Sequence, residues 1–222
     1  MTAANDRVAG AAMAASAFAR AARSALLANP PPIPETGLPD VGDHALAPDL
    51  AALMLAQPVR AAAVLVPVVA REDGPTVILT TRTAHLPTHA GQVAFPGGKM
   101  DDADDSPLAT ALREADEEIG LDRRLVTPLG YLDLYVTSTG FRIVPVVALV
   151  KPNFTLAPNP DEVANVFEVP LSFLMDDANH EIGMREWRGG MRRYVAMPYR
   201  GHYIWGATAG IIRNLHERLN RP

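Results

Sequence analysis

Apolar and polar positions change rhythm near residue 60, and the change marks where the compact part of the chain begins. AAAVLVPVV (61–69) and TVILTTR (76–82) are β-branched runs separated by REDG (71–74), which predicts a strand pair around a turn. QVAFPGG (92–98), LGYLDLYV (129–136), FRIVPVVALV (141–150) and NVFEVPL (165–171) predict further strands. Between the first and second of these the pattern predicts a helix over Ala109 to Gly120. Ser106 suits its N-cap, Pro107 the first helical position and Gly120 the terminator. GATAGIIRNLHERL (206–219) predicts an amphipathic closing helix. Strands with a few interspersed helices make an α+β fold.

The chain ahead of residue 60 has a different texture. Its first 30 residues hold 13 alanines, and RVAGAAMAASAFARAARSALL (7–27) predicts a surface helix without the apolar run of a membrane span. Five prolines between Pro30 and Pro39 prevent continuous helix or sheet and predict an extended arm. A short helix is expected near PDLAALMLA (48–56). The expected organisation is therefore an alanine-rich helix and proline-rich arm over 1–58 and a compact domain that includes the closing helix over 59–222, with no internal repeat. Whether the alanine-rich helix makes a homodimer contact is left open.

Composition narrows the function classes. A chain of 222 residues and 23.8 kDa, 48% hydrophobic and 20% charged with mean hydropathy +0.04, is globular and not disordered. Without cysteine, any metal must be held by oxygen or imidazole. Twenty Lys+Arg against 25 Asp+Glu leave a net charge of −5, which argues against a nucleic-acid partner and leaves room for a small anionic substrate. Asp6 in the would-be basic region and poor apolar residues after it weaken an export signal, so the cytoplasm is the expected location.

On a wheel of about 100° per residue, Leu108, Leu112, Ala115 and Ile119 form an apolar arc facing the core. Glu114, Glu117 and Glu118 fall in an adjoining arc. Their mutual repulsion calls for a cation, and oxygen ligands suit Mg²⁺ or Mn²⁺. A solvated acidic face with an Arg113–Glu117 pair is the alternative. Pro96, Gly97 and Gly98 precede the helix in a backbone-exposing loop, where the Gly98 carbonyl is placed to complete a metal site.

These residues resemble a known signature. Gly97, Gly98, Arg113, Glu114, Ala115, Glu117, Glu118, Gly120 and Leu121 are similar to the Nudix box, G-x5-E-x7-R-E-U-x-E-E-x-G-U. The second half matches throughout. In the first half, 14 residues separate Gly98 from Arg113 where the general pattern has 13, and Asp105 stands at the early Glu position. Upstream, Leu79, Thr80, Arg82, Leu86, Gly91, Phe95, Pro96, Gly97 and Gly98 resemble the additional motif of the coenzyme A pyrophosphatase branch.

The resemblance implies a mixed β-sheet sandwiched between α-helices, with Glu114, Glu117, Glu118 and the Gly98 carbonyl holding Mg²⁺ or Mn²⁺ beneath a substrate diphosphate. It implies hydrolysis of coenzyme A or acyl-coenzyme A, with Glu117 in the catalytic machinery and Arg113 ordering the acids. Another nucleoside diphosphate derivative is the competing substrate class, and a noncatalytic ligand sensor a third reading. From the residues themselves, Glu162 in a turn-rich segment is the candidate general base, a surface acidic pair with Asp161 being the alternative. Arg82, Lys99 and Arg142 are candidate phosphate cations, or solvated charges. Phe95 and Tyr135 could flank the ligand or pack in the core. His85 and His89 are not expected to form the metal site, because Pro87 interrupts any helical spacing between them.

Overall fold

The computed structural model describes residues 15–85, 89–187 and 190–221. Strand β1 (Arg60–Val69) organises the molecule because both of its faces are covered, which is why its sequence runs apolar without alternating. It pairs in parallel with β7 (Phe141–Val150) along its full length, from Arg60 opposite Phe141 to Val69 opposite Val150. On its other edge, β4 (Gly97–Lys99) pairs with Ala62–Val64, while β2 (Thr76–Arg82) pairs only at Val68 and Val69. Pro67 falls between those two pairings, where a missing N–H breaks no ladder.

Beyond that junction β2 pairs antiparallel with β3 (Val93–Ala94) and β8 (Val163–Pro170). Strands β5 (Val126–Tyr131) and β6 (Tyr135–Val136) cover the far edge of β7. The result is one mixed eight-stranded sheet. Every strand segment expected from the sequence is found in it, although QVAFPGG and LGYLDLYV are each divided between two strands.

Helix α1 (15–25) and the short α2 (Ala51–Leu55) precede the sheet. Helix α3 (Pro107–Ile119) lies on one face of it: Ala111, Ala115 and Ile119 meet Ala63, Leu65 and Val69 of β1. The wheel had put Leu112 in this buried stripe. Leu112 is only partly buried, and the small Ala111 takes the contact, since two alanines let the helix approach Ala63 closely.

The opposite face of the sheet packs against α1 and the closing helix, here numbered α5 (Ala207–Leu219) after the single turn α4 (Leu171–Leu174). Phe18 and Ala22 on one side of α1, and Leu26 just past its end, are buried with Leu132, Ile211 and Leu215. Burial of Phe18 and Leu26 contributes about 2 kcal/mol each. The expected surface helix is thus surface on one side only. Leu27 also bridges to Tyr131 with backbone hydrogen bonds of 2.9 Å.

A second sheet was not expected. Strands β9 (Glu181–Trp187), β10 (Gly190–Tyr199) and β11 (His202–Trp205) form it in the order β11-β10-β9. Val195, Met197 and Ile204 anchor it in the α5 core. Among the described residues no helix is long and apolar enough to cross a membrane.

Candidate active site

Helix α3 starts and stops as its sequence predicts. The Ser106 hydroxyl accepts the Ala109 N–H at 3.2 Å, and Gly120 closes the helix in the left-handed region at φ 67°. Past it, the Ala157 and Asn159 N–H groups donate to the Ile119 and Glu118 carbonyls at 2.9 Å each. That docking carries Glu162 close enough to Glu114 and Glu118 for its charge to raise both of their pKa values.

Glu118 is buried at 4% exposure, and its carboxylate accepts the Gly97 N–H at 3.3 Å. Burial pushes its pKa up to about 7; Gly97 and Arg82 work against that shift, while Glu114 and Glu162 add to it. Burial also raises Glu114, against the pull of Arg113. Glu117 is open to solvent. In the metal-free protein the folded state binds the Glu118 proton more tightly than the unfolded state does. This group's contribution is therefore fully present below the ordinary value of 4.5 and is lost as pH rises to about 7. The loss is about 3 kcal/mol. Unfolding midpoints of wild type and Glu118→Gln in chelator, compared across that window, should show the wild type losing ground; a constant gap would contradict the assignment.

Arg113 binds several groups at once. Its Nε and NH2 fork onto Asp104 at 3.1 and 2.9 Å, NH1 lies 2.9 Å from both Glu114 and Glu117, and NH2 donates to the Lys99 carbonyl at 3.2 Å. The repulsion expected among the acids is thus partly answered from within the helix. The fork onto Arg113 holds the Asp104 carboxyl below the ordinary carboxylate range. Asp104, and not Asp105, is therefore the acid of the early box position. Counting forward from Gly98 reaches Asp104, whereas counting back from Arg113 reaches Asp105, and the extra loop residue falls after the acid.

A side chain at Gly97 would strike main chain, and one at Gly98 would displace the Glu114 side chain. A Cβ on Gly97 would come within 2.5 Å of the Ala63 carbonyl oxygen, and a Cβ on Gly98 within 2.5 Å of the Glu114 carboxyl group. Gly98 thereby forms a cradle against a carboxylate, and all the donors around it are hard oxygens. This donor set fits Mg²⁺ or Mn²⁺.

Gly97, Gly98 and Arg82 also belong to the wall of a cleft of about 490 Å³. Arg82 NH1 lies 3.8 Å from Glu118, and its buried Nε has no hydrogen-bond partner among the described residues. Lys99 lines the cleft and is exposed; Phe95 lines it while 96% buried in the core, so it serves chiefly as packing.

Of the remaining candidates Arg142 departs from expectation, while Tyr135 takes the core position left open for it and His85 and His89 stay apart as expected. Arg142 is buried at 4% exposure, lies outside the cleft lining and donates to the Gly37 carbonyl at 2.9 Å, because the proline-rich arm folds over it. Tyr135 is a core residue whose hydroxyl donates to Asp43 at 3.0 Å. His85 and His89 diverge, toward the Asp161 carbonyl at 3.1 Å and the Gln92 side chain at 2.8 Å. Leu86, Pro87 and residues 1–14 lie outside the described residues.

Sequence reasoning missed the far wall of the cleft. Arg185, Arg192 and Trp205 come from the second sheet, with the Arg185 guanidinium 5.1 Å from the Trp205 ring centre. Arg192 pairs with Asp43 and donates to the Ser138 hydroxyl at 2.9 Å, while the Ser138 N–H donates to Asp43 at 2.8 Å. Gly189-Gly190 between two alternating segments was the available hairpin signal.

The family model for the NUDIX domain matches residues 59–188. Among curated proteins, an uncharacterized Nudix hydrolase NudL of Yersinia enterocolitica is 44% identical over 164 residues, covering 72% of this chain and 81% of that one. Another of the same description, from Photorhabdus laumondii, is 44% identical over 160 residues, covering 72% and 85%. Among solved structures, the Nudix hydrolase RenU of M. smegmatis is similar with a TM-score of 0.49 at 20% identity, covering 71% of this chain and 84% of that one. With its family domain spanning more than half of the sequence and a box helix folded as the motif requires, the chain belongs to the Nudix hydrolases, enzymes that cleave phosphoric anhydrides of nucleoside diphosphate derivatives.

Proposed function

We propose that the protein hydrolyses the diphosphate linkage of coenzyme A or an acyl-coenzyme A, releasing 4′-phosphopantetheine, or its acyl form, and adenosine 3′,5′-bisphosphate. The cleft carries this reading. Its lining includes Gly97 and Gly98, which adjoin Glu118 and Glu114, together with Arg82, Arg185 and Arg192 and the apolar Phe141 and Trp205. A diphosphate, a separate third phosphate, an adenine and an apolar arm call for that combination. The likeness of Leu79–Gly98 to the coenzyme A motif points the same way.

In this reading Glu114, Glu117, Glu118 and the Gly98 carbonyl hold a divalent cation. When bound, such a cation would supply positive charge against the diphosphate and lower the pKa of the attacking water. Arg113 is a positioning residue that locks the acids to the Lys99–Asp104 loop. Arg82 binds the diphosphate, its Nε, which has no hydrogen-bond partner among the described residues, being suited to an anionic oxygen. Lys99 attracts the anion at the rim. Glu162 accepts the proton as water oxygen attacks one phosphorus and the bridging P–O bond breaks.

A substrate panel with Mg²⁺ or Mn²⁺, read by the masses of both products, tests the reading. Coenzyme A should give the highest kcat/KM, and its 3′-dephospho form should lose roughly 10- to 100-fold, the worth of one charge-assisted contact. Equal handling of ADP-ribose would favour a broader nucleoside diphosphate substrate class. Absence of hydrolysis across the panel would favour a ligand sensor.

A further inference from the structure

Away from the cleft, the start of β9 is tied to the closing helix by a cluster of different chemistry. Asp177 lies in a single 3-10 turn (Asp177–Asn179), His180 directly follows it, and His216 lies in the last turn of α5. One potential ligand atom from each of the three lies within 4.8 Å of the other two. His216 Nε2 is 3.6 Å and His180 Nδ1 4.0 Å from the same Asp177 oxygen, and the imidazole rings stand edge to face, 76° apart.

The orientation of His180 is set by its surroundings. Its Nε2 lies 2.8 Å from the Leu174 carbonyl, which can only accept, so Nε2 donates there and Nδ1 is the nitrogen that faces Asp177. An imidazole whose far nitrogen donates to a backbone carbonyl is oriented as metal-binding histidines are. Ligands around a tetrahedral zinc ion at bond lengths of about 2.0–2.1 Å stand roughly 3.4 Å apart, so the separations of 3.6 and 4.0 Å to Asp177, and a histidine–histidine separation within 4.8 Å, close on an ion by side-chain movements of about 1 Å or less. Asp177 is 82% exposed, which leaves an entry path and room for a water as fourth ligand.

We propose that Asp177, His180 and His216 form a second metal site, selective for a zinc-class transition ion and independent of the oxygen-only acids of α3. Two imidazoles with one carboxylate discriminate against Mg²⁺, which the box donors favour. An ion there clamps the turn that launches β9, the strand carrying Arg185 to the cleft.

Tag-free, full-length protein titrated with Co²⁺ in excess Mg²⁺ tests this. The expected result is one equivalent bound with the visible bands of four-coordinate cobalt, and with Zn²⁺ at about a hundredfold excess over Kd a rise in Tm of about 5–10 °C. Asp177→Asn, at an exposed position where folding is not at stake, and His216→Gln should each abolish both signals. The double variant Glu114→Gln/Glu118→Gln should keep them. Absence of the cobalt bands in wild type, their survival in both cluster variants, or their loss in the double variant would overturn the proposal.

Discussion

Glu117→Gln is expected to lower turnover by roughly a hundred- to a thousandfold, the scale of removing one charged metal ligand. The fold should be nearly untouched. Glu117 is exposed, and its interaction with Arg113 is a helical i,i+4 pair worth about 0.3–0.5 kcal/mol. Turnover at saturating substrate, measured beside the unfolding midpoint, therefore separates chemistry from stability. Unchanged turnover would remove Glu117 from the mechanism; a large fall in the midpoint would show that the acid serves the fold.

The glycine pair provides the second large effect. Gly97→Ala should destabilise the protein by about 2–3 kcal/mol, because the new Cβ meets the Ala63 carbonyl at 2.5 Å and the Val64 Cα at 2.6 Å, both main-chain atoms of the central strand. At φ 156° Gly97 also holds a conformation that other residues rarely adopt. For a chain of this size the Tm falls by roughly 5–10 °C.

Gly98→Ala should behave in the opposite way. Its backbone accommodates alanine, and the nearest obstacle is the Glu114 carboxyl at 2.5 Å, the movable end of a side chain. Stability should change by less than about 1 kcal/mol while kcat drops roughly a hundredfold, since displacement of a catalytic group by about 1 Å has that effect. If both alanine variants lose stability equally and Gly98→Ala keeps its rate, Glu114 is not held for catalysis by this loop.

The box helix was legible because its signals are local. A cap, a proline and a terminating glycine follow from neighbours a few residues apart, and all three were found in place. The strands of the main sheet were legible for the same reason. The second sheet was not, because REWRGGMRR carries too many charges to read as an apolar run, and its burial depends on Val195, Met197 and Ile204 finding the α5 core.

Distant partners account for the site residues that sequence reasoning misplaced. Arg142 follows a glycine-containing loop that looked suited to phosphate, yet the arm covers it at Gly37. Arg192 reaches the cleft wall because Asp43, from that same arm, binds it together with Ser138. Asp104 takes the box position in place of Asp105 because the Arg113 fork closes on it, which a count of residues could not resolve.

By itself, then, the sequence determined the box helix, its glycine entry and the family of chemistry, since each rests on residue spacing within one turn or one helix. Only the tertiary structure decided which cations face the cleft, that α1 belongs to the core, and that a histidine pair meets Asp177 far from the acids. Those outcomes depend on which surfaces exclude water together, and that is a property of the folded chain as a whole.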